Sequence, residues 1–309
     1  MNNQLSGVIN IYKEKGYTSH DVVAVVRGIL GRVKAGHTGT LDPAAEGVLP
    51  VCIGKATKIA EYLASETKGY RAVMHLGIIT DTDDTTGTIL RKTEVTASEE
   101  EINQAILSFK KEYWQTPPMY SAIKMNGKKL YELAREGKMV ERKQRKVNIF
   151  DIQIRQFMPG NCVEMDILCS KGTYIRSLCL DIGNALGCGG TMGNLLRTSS
   201  GRFKVEDSIK LSTLKEILVD GKLHQVLLPI GYAMPDIQKV TVREFGEKYL
   251  YNGNKISANY MQGHGSDLQD GQMVFVYSAK KELAGLYLFL VETKGDTESR
   301  FLKPITMLL

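Results

Sequence analysis

The 309-residue chain has little of what most cofactor and metal chemistry needs. Its five cysteines, Cys52, Cys162, Cys169, Cys179 and Cys188, contain no C-x-x-C pair and are odd in number. A disulfide framework and a zinc ribbon are therefore not expected, and the thiols read as buried and reduced. Only five histidines occur, and no two have zinc-ligand spacing. No G-x-G-x-x-G follows a strand. The stretch from Gly47 to Gly54-Lys55 only mimics a phosphate-binding loop, because six residues rather than four separate its glycines and Ala56 stands where Ser or Thr must hold magnesium. Ser199-Ser200-Gly201 lacks the frame of a nucleophile elbow. No run reaches the roughly 18 apolar residues of a membrane span, and the first 16 residues lack the basic start and apolar centre of a signal peptide. The expectation is a cytoplasmic protein with no membrane partner. Repeats and low-complexity tracts are missing too, and no heptads or apolar stripe suggest assembly, so a monomer is expected.

What is present is an ordinary soluble composition, 43% hydrophobic and 24% charged, in a chain long enough for one large domain and one small one. Residues 7–12 predict a strand. Thr18 and Asp21 predict a capping box for a helix carrying Val22, Val23, Val26, Ile29 and Leu30 and ending at Gly31. Residues 34–47 predict a loop, 48–53 a strand, 55–63 a short helix and 70–76 a strand before the polar turn 80–87. Ser98 caps a helix predicted to about Lys111. Strands follow at 147–155 and 163–169, then a helix from Thr173 to Gly187. Beyond Pro229–Asp236 come a helix at 243–251 and short strands, notably 272–279 and 283–292. The irregular alternation predicts an α+β domain rather than a βαβ array, followed by a small β-rich appendage. The net charge of +6 is concentrated: residues 122–146 hold nine Lys or Arg against three acids, a surplus equal to that of the whole chain. Such a segment is either an RNA-phosphate contact or a solvated hairpin. The densest group of unusual residues is Lys34–Gly47. Its carboxylate Asp42 precedes Pro43 and has glycines on both sides, which allows close approach to a ligand, although Asp-Pro also begins ordinary turns.

Five ordered segments carry a resemblance. GHTGTLDPAAEGVLPVCIGKATK (36–58), KGYRAVMHLGIITDTDDTTG (68–87), PPMYSAIKMNGKKLYELAREG (117–137), KGTYIRSL (171–178) and LLRTSSG (195–201) resemble, in order and spacing, motifs of the TruB family, the bacterial tRNA pseudouridine-55 synthases. The match runs from about Gly7 to about Gly201. It implies a pseudouridine synthase fold of the α+β class, with a central mixed, mainly antiparallel sheet. It also implies a catalytic domain at 1–236 with an RNA-clamping insertion at about 115–147, and a PUA-like β-barrel at 237–309. By resemblance Asp42 is the catalytic carboxylate. His37 enters the RNA loop beside the flipped base, Tyr70 stacks on the uracil, Tyr174 contacts substrate, Arg176 salt-bridges the aspartate and Leu195 lines the uracil pocket. Lys128, Lys129, Arg142 and Lys143 are the expected clamp contacts. Arg176 falls in the first turn of a predicted helix, where a cation is disfavoured unless a carboxylate such as Asp42 compensates.

The implied reaction involves neither redox change nor hydrolysis, so no cofactor and no metal are expected. The implied partner is tRNA, through its T-arm stem-loop and, by way of the C-terminal domain, its acceptor end; no obligate protein partner is expected. Three positions depart from the family pattern: Glu14 in place of proline, Gly190-Thr191 in place of Ala-His, and Leu196 in place of the first arginine of a pair. Three other readings compete. A dyskerin-like, guide-RNA-dependent synthase would be expected to lack the 117–137 segment. An RNA chaperone would not depend on Asp42, and a small-molecule isomerase would leave the basic segment unexplained.

Overall fold

The computed structural model describes residues 5–125, 127–262, 267–294 and 297–309. In the first part of the chain, β1 (Gly7–Lys13), α1 (Ser19–Ile29), β2 (Ala35–His37), β3 (Glu46–Ile53), α2 (Ala60–Ala64) and β4 (Lys68–Leu76) follow in order. A hairpin of β5 (Ile78–Thr80) and β6 (Ile89–Lys92) leads to α3 (Glu99–Leu107) and β7 (Glu112–Gln115). Next come the two-residue strands β8 (Lys124–Met125) and β9 (Lys128–Lys129) and α4 (Leu130–Arg135). The domain continues with β10 (Arg145–Met158), β11 (Cys162–Cys169), α5 (Ile175–Ala185), β12 (Gly190–Ser200) and β13 (Phe203–Lys204), then α6 (Leu211–Val219) and α7 (Ile230–Ala233).

These strands build a nine-stranded sheet in the order β1-β3-β12-β4-β11-β10-β7, with β2 on β3 and β13 on β12. Every pairing is antiparallel except β12 with β3. That is the mixed, mainly antiparallel α+β sheet expected from the sequence. Six further strands, β14 (Gln238–Val242), β15 (Ile256–Ser257), β16 (Met261–Gln262), β17 (Met273–Tyr277), β18 (Leu283–Lys294) and β19 (Thr297–Met307), form a second sheet, with the short helix α8 (Glu247–Tyr251) beside it. The two units share a core: Val8, Val48 and Cys52 pack in one cluster with Phe275, Leu286 and Leu308.

The local chemistry explains the elements. Thr18 accepts from the Asp21 amide at 3.0 Å while the Asp21 carboxylate accepts from the Thr18 amide at 2.8 Å, which is the expected capping box. Ser98 and Glu101 repeat it at α3. Along β3, Val48 and Cys52 face one cluster while Leu49, Val51 and Ile53 face another with α1 and α6, so both faces are buried and the run reads as continuously apolar. On β4, Tyr70, Ala72, Met74 and Leu76 enter the main core, and Arg71 on the other face bonds Asp166 of β11 directly opposite at 2.8 Å. Helix α5 buries Leu178, Cys179 and Ile182 against the sheet; each such Leu or Ile stabilises by roughly 1.5–3 kcal/mol. All five cysteines are buried and unpaired.

Several boundaries differ from the sequence reading. Residues 34–47 are not wholly a loop, because Ala35–His37 adds a short antiparallel strand to β3 and β3 itself begins at Glu46. The α3 helix ends at Leu107, not Lys111: Phe109 and Lys110 turn back in single-turn bonds to Ile106 and Leu107. Gly54–Ile59 is a 3-10 segment leading into α2, and α5 spans Ile175–Ala185, shorter at both ends than predicted. The 243–251 helix is a 3-10 turn followed by α8.

Gly47 is where β3 runs parallel to β12. Its φ is 105°, and a Cβ there would meet the Arg197 carbonyl oxygen at 2.3 Å. Gly47→Ala is expected to destabilise by about 2–5 kcal/mol, combining a left-handed backbone with overpacking. A urea midpoint within experimental error of wild type would rule this out.

Candidate active site

The Asp42 loop is held from beneath by α1 and β1. Ser19, the first residue of α1, donates to the Leu41 carbonyl at 3.2 Å and accepts from the Leu41 amide at 2.8 Å. The Gly16 amide donates to the Pro43 carbonyl at 2.8 Å, and the fully buried Lys13 ammonium reaches the same carbonyl at 3.3 Å and that of Tyr17 at 2.6 Å. The Ala45 amide closes the turn on the Asp42 carbonyl at 3.0 Å. Asp42 is thus fixed on both flanks, while its side chain keeps 37% of its surface open. Burial of Lys13 pulls its ammonium down to about 8.

Above the loop stands Arg176, in the first turn of α5. Its guanidinium contacts the Asp42 carboxylate at 2.9 Å and donates to the carbonyls of Thr82 at 3.1 Å and Tyr120 at 2.9 Å. Asp84 lies 3.9 Å from its Nε. The Arg176 side chain is 5% exposed, so these partners replace its hydration. Asp42 feels opposed influences: burial raises its pKa, Arg176 pulls it down and the Asp84 charge pushes it up again, leaving it above the ordinary 3.8. The turn 80–87 holds Asp84 in place, since Asp84 Oδ1 accepts from the Thr86 amide at 2.9 Å and from the Thr82 hydroxyl at 2.8 Å.

The remaining sequence-predicted residues fall into three places. Tyr70 and Leu195, both 9% exposed, pack with Leu41 and Ala45 of the loop in the main apolar core. Tyr174 is the N-cap residue of α5, next but one to Arg176, and the Asp42 charge acts on both Tyr70 and Tyr174. His37 lies apart, on β2 opposite Val51, with its ring edge-on to His20 at 5.2 Å. Burial, followed by His20 and Arg197, lowers His37 to about 4, and the Gly39 amide donates to its Nδ1 at 3.3 Å.

The four clamp residues are not gathered at Asp42. Lys128 pairs with Glu136 at 2.9 Å, Lys129 reaches the Tyr131 hydroxyl at 3.3 Å, Arg142 donates to the Pro117 carbonyl at 2.9 Å, and Lys143 is exposed. Among the departures, Glu14 pairs with Lys210 at 3.3 Å, and Thr191 is buried with its hydroxyl 3.0 Å from that of Thr80. Leu196 packs close to Gly47.

Sequence reasoning did not single out Ser19, Lys13, Asp84, Gln115 or Arg197. Arg197 is 1% exposed and donates to the Val48 carbonyl at 2.6 Å and the Gly39 carbonyl at 3.3 Å. The available signal was position: Lys13 directly ends an apolar strand, and Arg197 directly follows the apolar pair Leu195-Leu196. Among the described residues, no three His, Cys, Asp or Glu side chains converge as a metal site, and no helix is long and apolar enough to cross a membrane.

Comparison with known proteins places this geometry. The family model described as TruB family pseudouridylate synthase (N terminal domain) matches residues 27–175, and that of the tRNA pseudouridylate synthase B C-terminal domain matches 176–235. The junction falls inside α5, so Asp42 and Arg176 come from different matched stretches. The chain is similar to tRNA pseudouridine synthase B of Alkaliphilus oremlandii (strain OhILAs), 47% identical over 98% of this chain and 99% of the relative. The protein of that name from Lachnoclostridium phytofermentans (strain ATCC 700394 / DSM 18823 / ISDg) is 45% identical over 99% and 100%. Among solved structures, a Cbf5-Nop10-Gar1 complex matches with TM-score 0.75 at 30% identity, over 100% of this chain and 86% of the other. An H/ACA RNP bound to a substrate RNA containing 2'-deoxyuridine matches with TM-score 0.74 at 27% identity, over 100% and 86%. Full-length identity of this order shows that the chain belongs to the TruB family of pseudouridylate synthases.

Proposed function

We propose that the chain is a tRNA isomerase that converts uridine 55 of the T-loop to pseudouridine, with Asp42 as its catalytic carboxylate. The observation that carries this reading is the Asp42–Arg176 pair at 2.9 Å, on a loop whose apolar floor includes Tyr70 and Leu195. The target base leaves its stack at a cost of a few kcal/mol. Stacking on Tyr70 returns roughly 1–3 kcal/mol, with Leu195 closing the pocket, Tyr174 contacting the substrate and His37 entering the vacated loop. His37 is neutral near pH 7, which suits a wedge between bases rather than a phosphate contact.

Breaking the C1′–N1 bond builds positive charge at the sugar, as in glycoside cleavage. The Asp42 carboxylate faces that charge, either attacking C1′ or removing a ribose proton. The uracil turns and C5 bonds to C1′; on the first route this breaks the Asp42–C1′ bond, and on the second Asp42 returns the ribose proton, after which the C5 proton departs and N1 takes up a proton. Atoms balance without a redox partner or water.

We assign the catalytic domain to 1–236, the clamp to about 115–147 and a PUA-like RNA-binding domain, directed at the acceptor end, to 237–309. Lys128, Lys129, Arg142 and Lys143 grip the phosphate backbone when the clamp closes. Neutralising the four is expected to flatten the log–log salt dependence of RNA binding by roughly 0.7 for each phosphate that no longer has a cation beside it. An unchanged slope would remove the clamp from the account.

The experiment for the reaction is tritium release from a T-arm stem-loop labelled at uracil C5, with the purified chain alone. Release mapping to the T-loop uridine is expected. The likeness to Cbf5 in complexes gives the competing reading, a synthase that needs a guide RNA and partner proteins. Activity appearing only after those are added would favour it.

A further inference from the structure

Helix α5 begins without a cap of its own. Its N-cap residue is Tyr174, whose side chain makes no cap bond, and its first turn has no acid. Orphan amides at a helix start need a partner. The partner here comes from another strand. Gln115, the last residue of β7, is 1% exposed. The Tyr174 amide donates to Gln115 Oε1 at 2.8 Å, and Gln115 Nε2 donates back to the Tyr174 carbonyl at 3.0 Å. Nε2 also donates to the Tyr113 hydroxyl at 2.6 Å, and the Asp181 charge further along α5 acts on Tyr113.

The same segment meets α5 twice more. Ser177 Oγ donates to the Thr116 carbonyl at 2.9 Å, and Arg176 donates to the Tyr120 carbonyl at 2.9 Å. Residues 115–120 therefore bracket the start of α5 at 174, 176 and 177. Only the Gln115 hydrogen bonds are made by a side chain of the bracket, so they are the ones a substitution within residues 115–120 removes.

We propose that Gln115 is a positioning residue: by holding both backbone groups of Tyr174 it fixes the first turn of α5 and aims Arg176 at Asp42. This rests on the roles given to Asp42 and Arg176 above. It implies that loosening Gln115 lets Arg176 drift from Asp42, leaving the carboxylate with burial and Asp84 against it and only Lys13 in its favour. Charges act on the bracket and on α5 from three elements: Arg145 of β10, opposite Gln115, on Tyr174; Asp181 of α5 on Tyr113 and Cys179; and Asp83 of the 80–87 turn on Cys179.

The test compares wild type with Gln115→Met, which keeps bulk and removes the amide, and Gln115→Glu, which keeps an acceptor for the Tyr174 amide. Amide hydrogen exchange over 145–148, the stretch of β10 paired with β7, reports whether β7 keeps its place. With that exchange unchanged, Gln115→Met is expected to speed amide hydrogen exchange over 174–177 by about tenfold or more. Single-turnover kcat on the T-arm RNA is expected to fall about 10- to 100-fold with RNA affinity retained. The acid limb of the rate is expected to move to higher pH, with Gln115→Glu between the two. If Gln115→Met fails to fold, Gln115→Glu carries the comparison. Unchanged exchange at 174–177, a loss confined to RNA affinity, or an unmoved acid limb would overturn the proposal. A wild type that releases no tritium would instead overturn the functional reading, so the two failures are told apart.

Discussion

Asp42→Asn is expected to abolish tritium release, lowering single-turnover kcat by at least about 10⁴-fold while RNA affinity is kept. The amide occupies the same volume and can still face Arg176, so the loop should not collapse. What is lost is the negative charge that either attacks C1′ or takes the ribose proton, and no neighbour replaces it. Asp84 is the other acid whose charge reaches Asp42, but it faces Arg176 Nε at 3.9 Å and its second oxygen is engaged by Thr82 and Thr86. Loss of a group that acts chemically commonly exceeds the 10²–10⁴ of a proton-transfer aid. The stability change should be small. Breaking a fully buried ion pair costs about 3–5 kcal/mol, but Asp42 is over a third exposed and Arg176 keeps two carbonyl partners, so about 1–2 kcal/mol is expected. A variant that folds, binds the T-arm and still turns over within tenfold of wild type would remove Asp42 from the chemistry. A variant that fails to bind would move its role to RNA recognition.

How much of this was legible in the sequence differs by residue type. The capping boxes at Thr18 and Ser98 were readable because their signal is local: a hydroxyl and an acid three residues apart. β4 was readable as a strand before the polar turn 80–87, and β10 and β11 from their alternating pattern. β2 was not, because a three-residue strand of Ala-Gly-His has no period and exists only through its pairing with β3. Nor does any local pattern reveal that β3 runs parallel to β12 across a long sequence gap, although Gly47 marks the close approach. Asp42 and Arg176 could be paired only through the resemblance and the helix-dipole argument; 134 positions of chain separate them, and spacing alone carries no contact. The supporting residues stayed hidden for a different reason. Lys13, Arg197 and Gln115 are polar side chains buried against carbonyls, and a sequence reading ordinarily places such residues at the surface. Their partners are backbone groups, which leave no trace in composition.

Arg176→Met is the second large effect expected, a fall in kcat of about 10²–10³ together with an alkaline shift of the acid limb. The size follows from two losses: Asp42 is no longer held at 2.9 Å by the guanidinium, and a displacement of about 1 Å costs about 10²-fold, while a larger share of the carboxylate is protonated. The direction follows from the groups around Asp42. The reactive form is the carboxylate, so activity is present above its pKa and lost as pH falls through it. Burial already holds that pKa above 3.8, and Arg176 opposes the burial. Removing the guanidinium lets the pKa climb further, so the acid limb begins at higher pH. His37 cannot produce this limb, since it is held at about 4 and stays neutral over the range measured. Arg176→Lys separates charge from geometry. A lysine restores a positive charge and should return the acid limb toward wild type, but a single ammonium cannot span Asp42, Thr82 and Tyr120, so kcat should recover only in part. Both variants leave buried carbonyls short of a donor, at about 1–3 kcal/mol each, so rates must be read below the onset of unfolding. Single-turnover rates from pH 5 to 9 decide the matter: a Met variant with reduced kcat and the wild-type acid limb would show that Arg176 orients the substrate and does not set the state of Asp42.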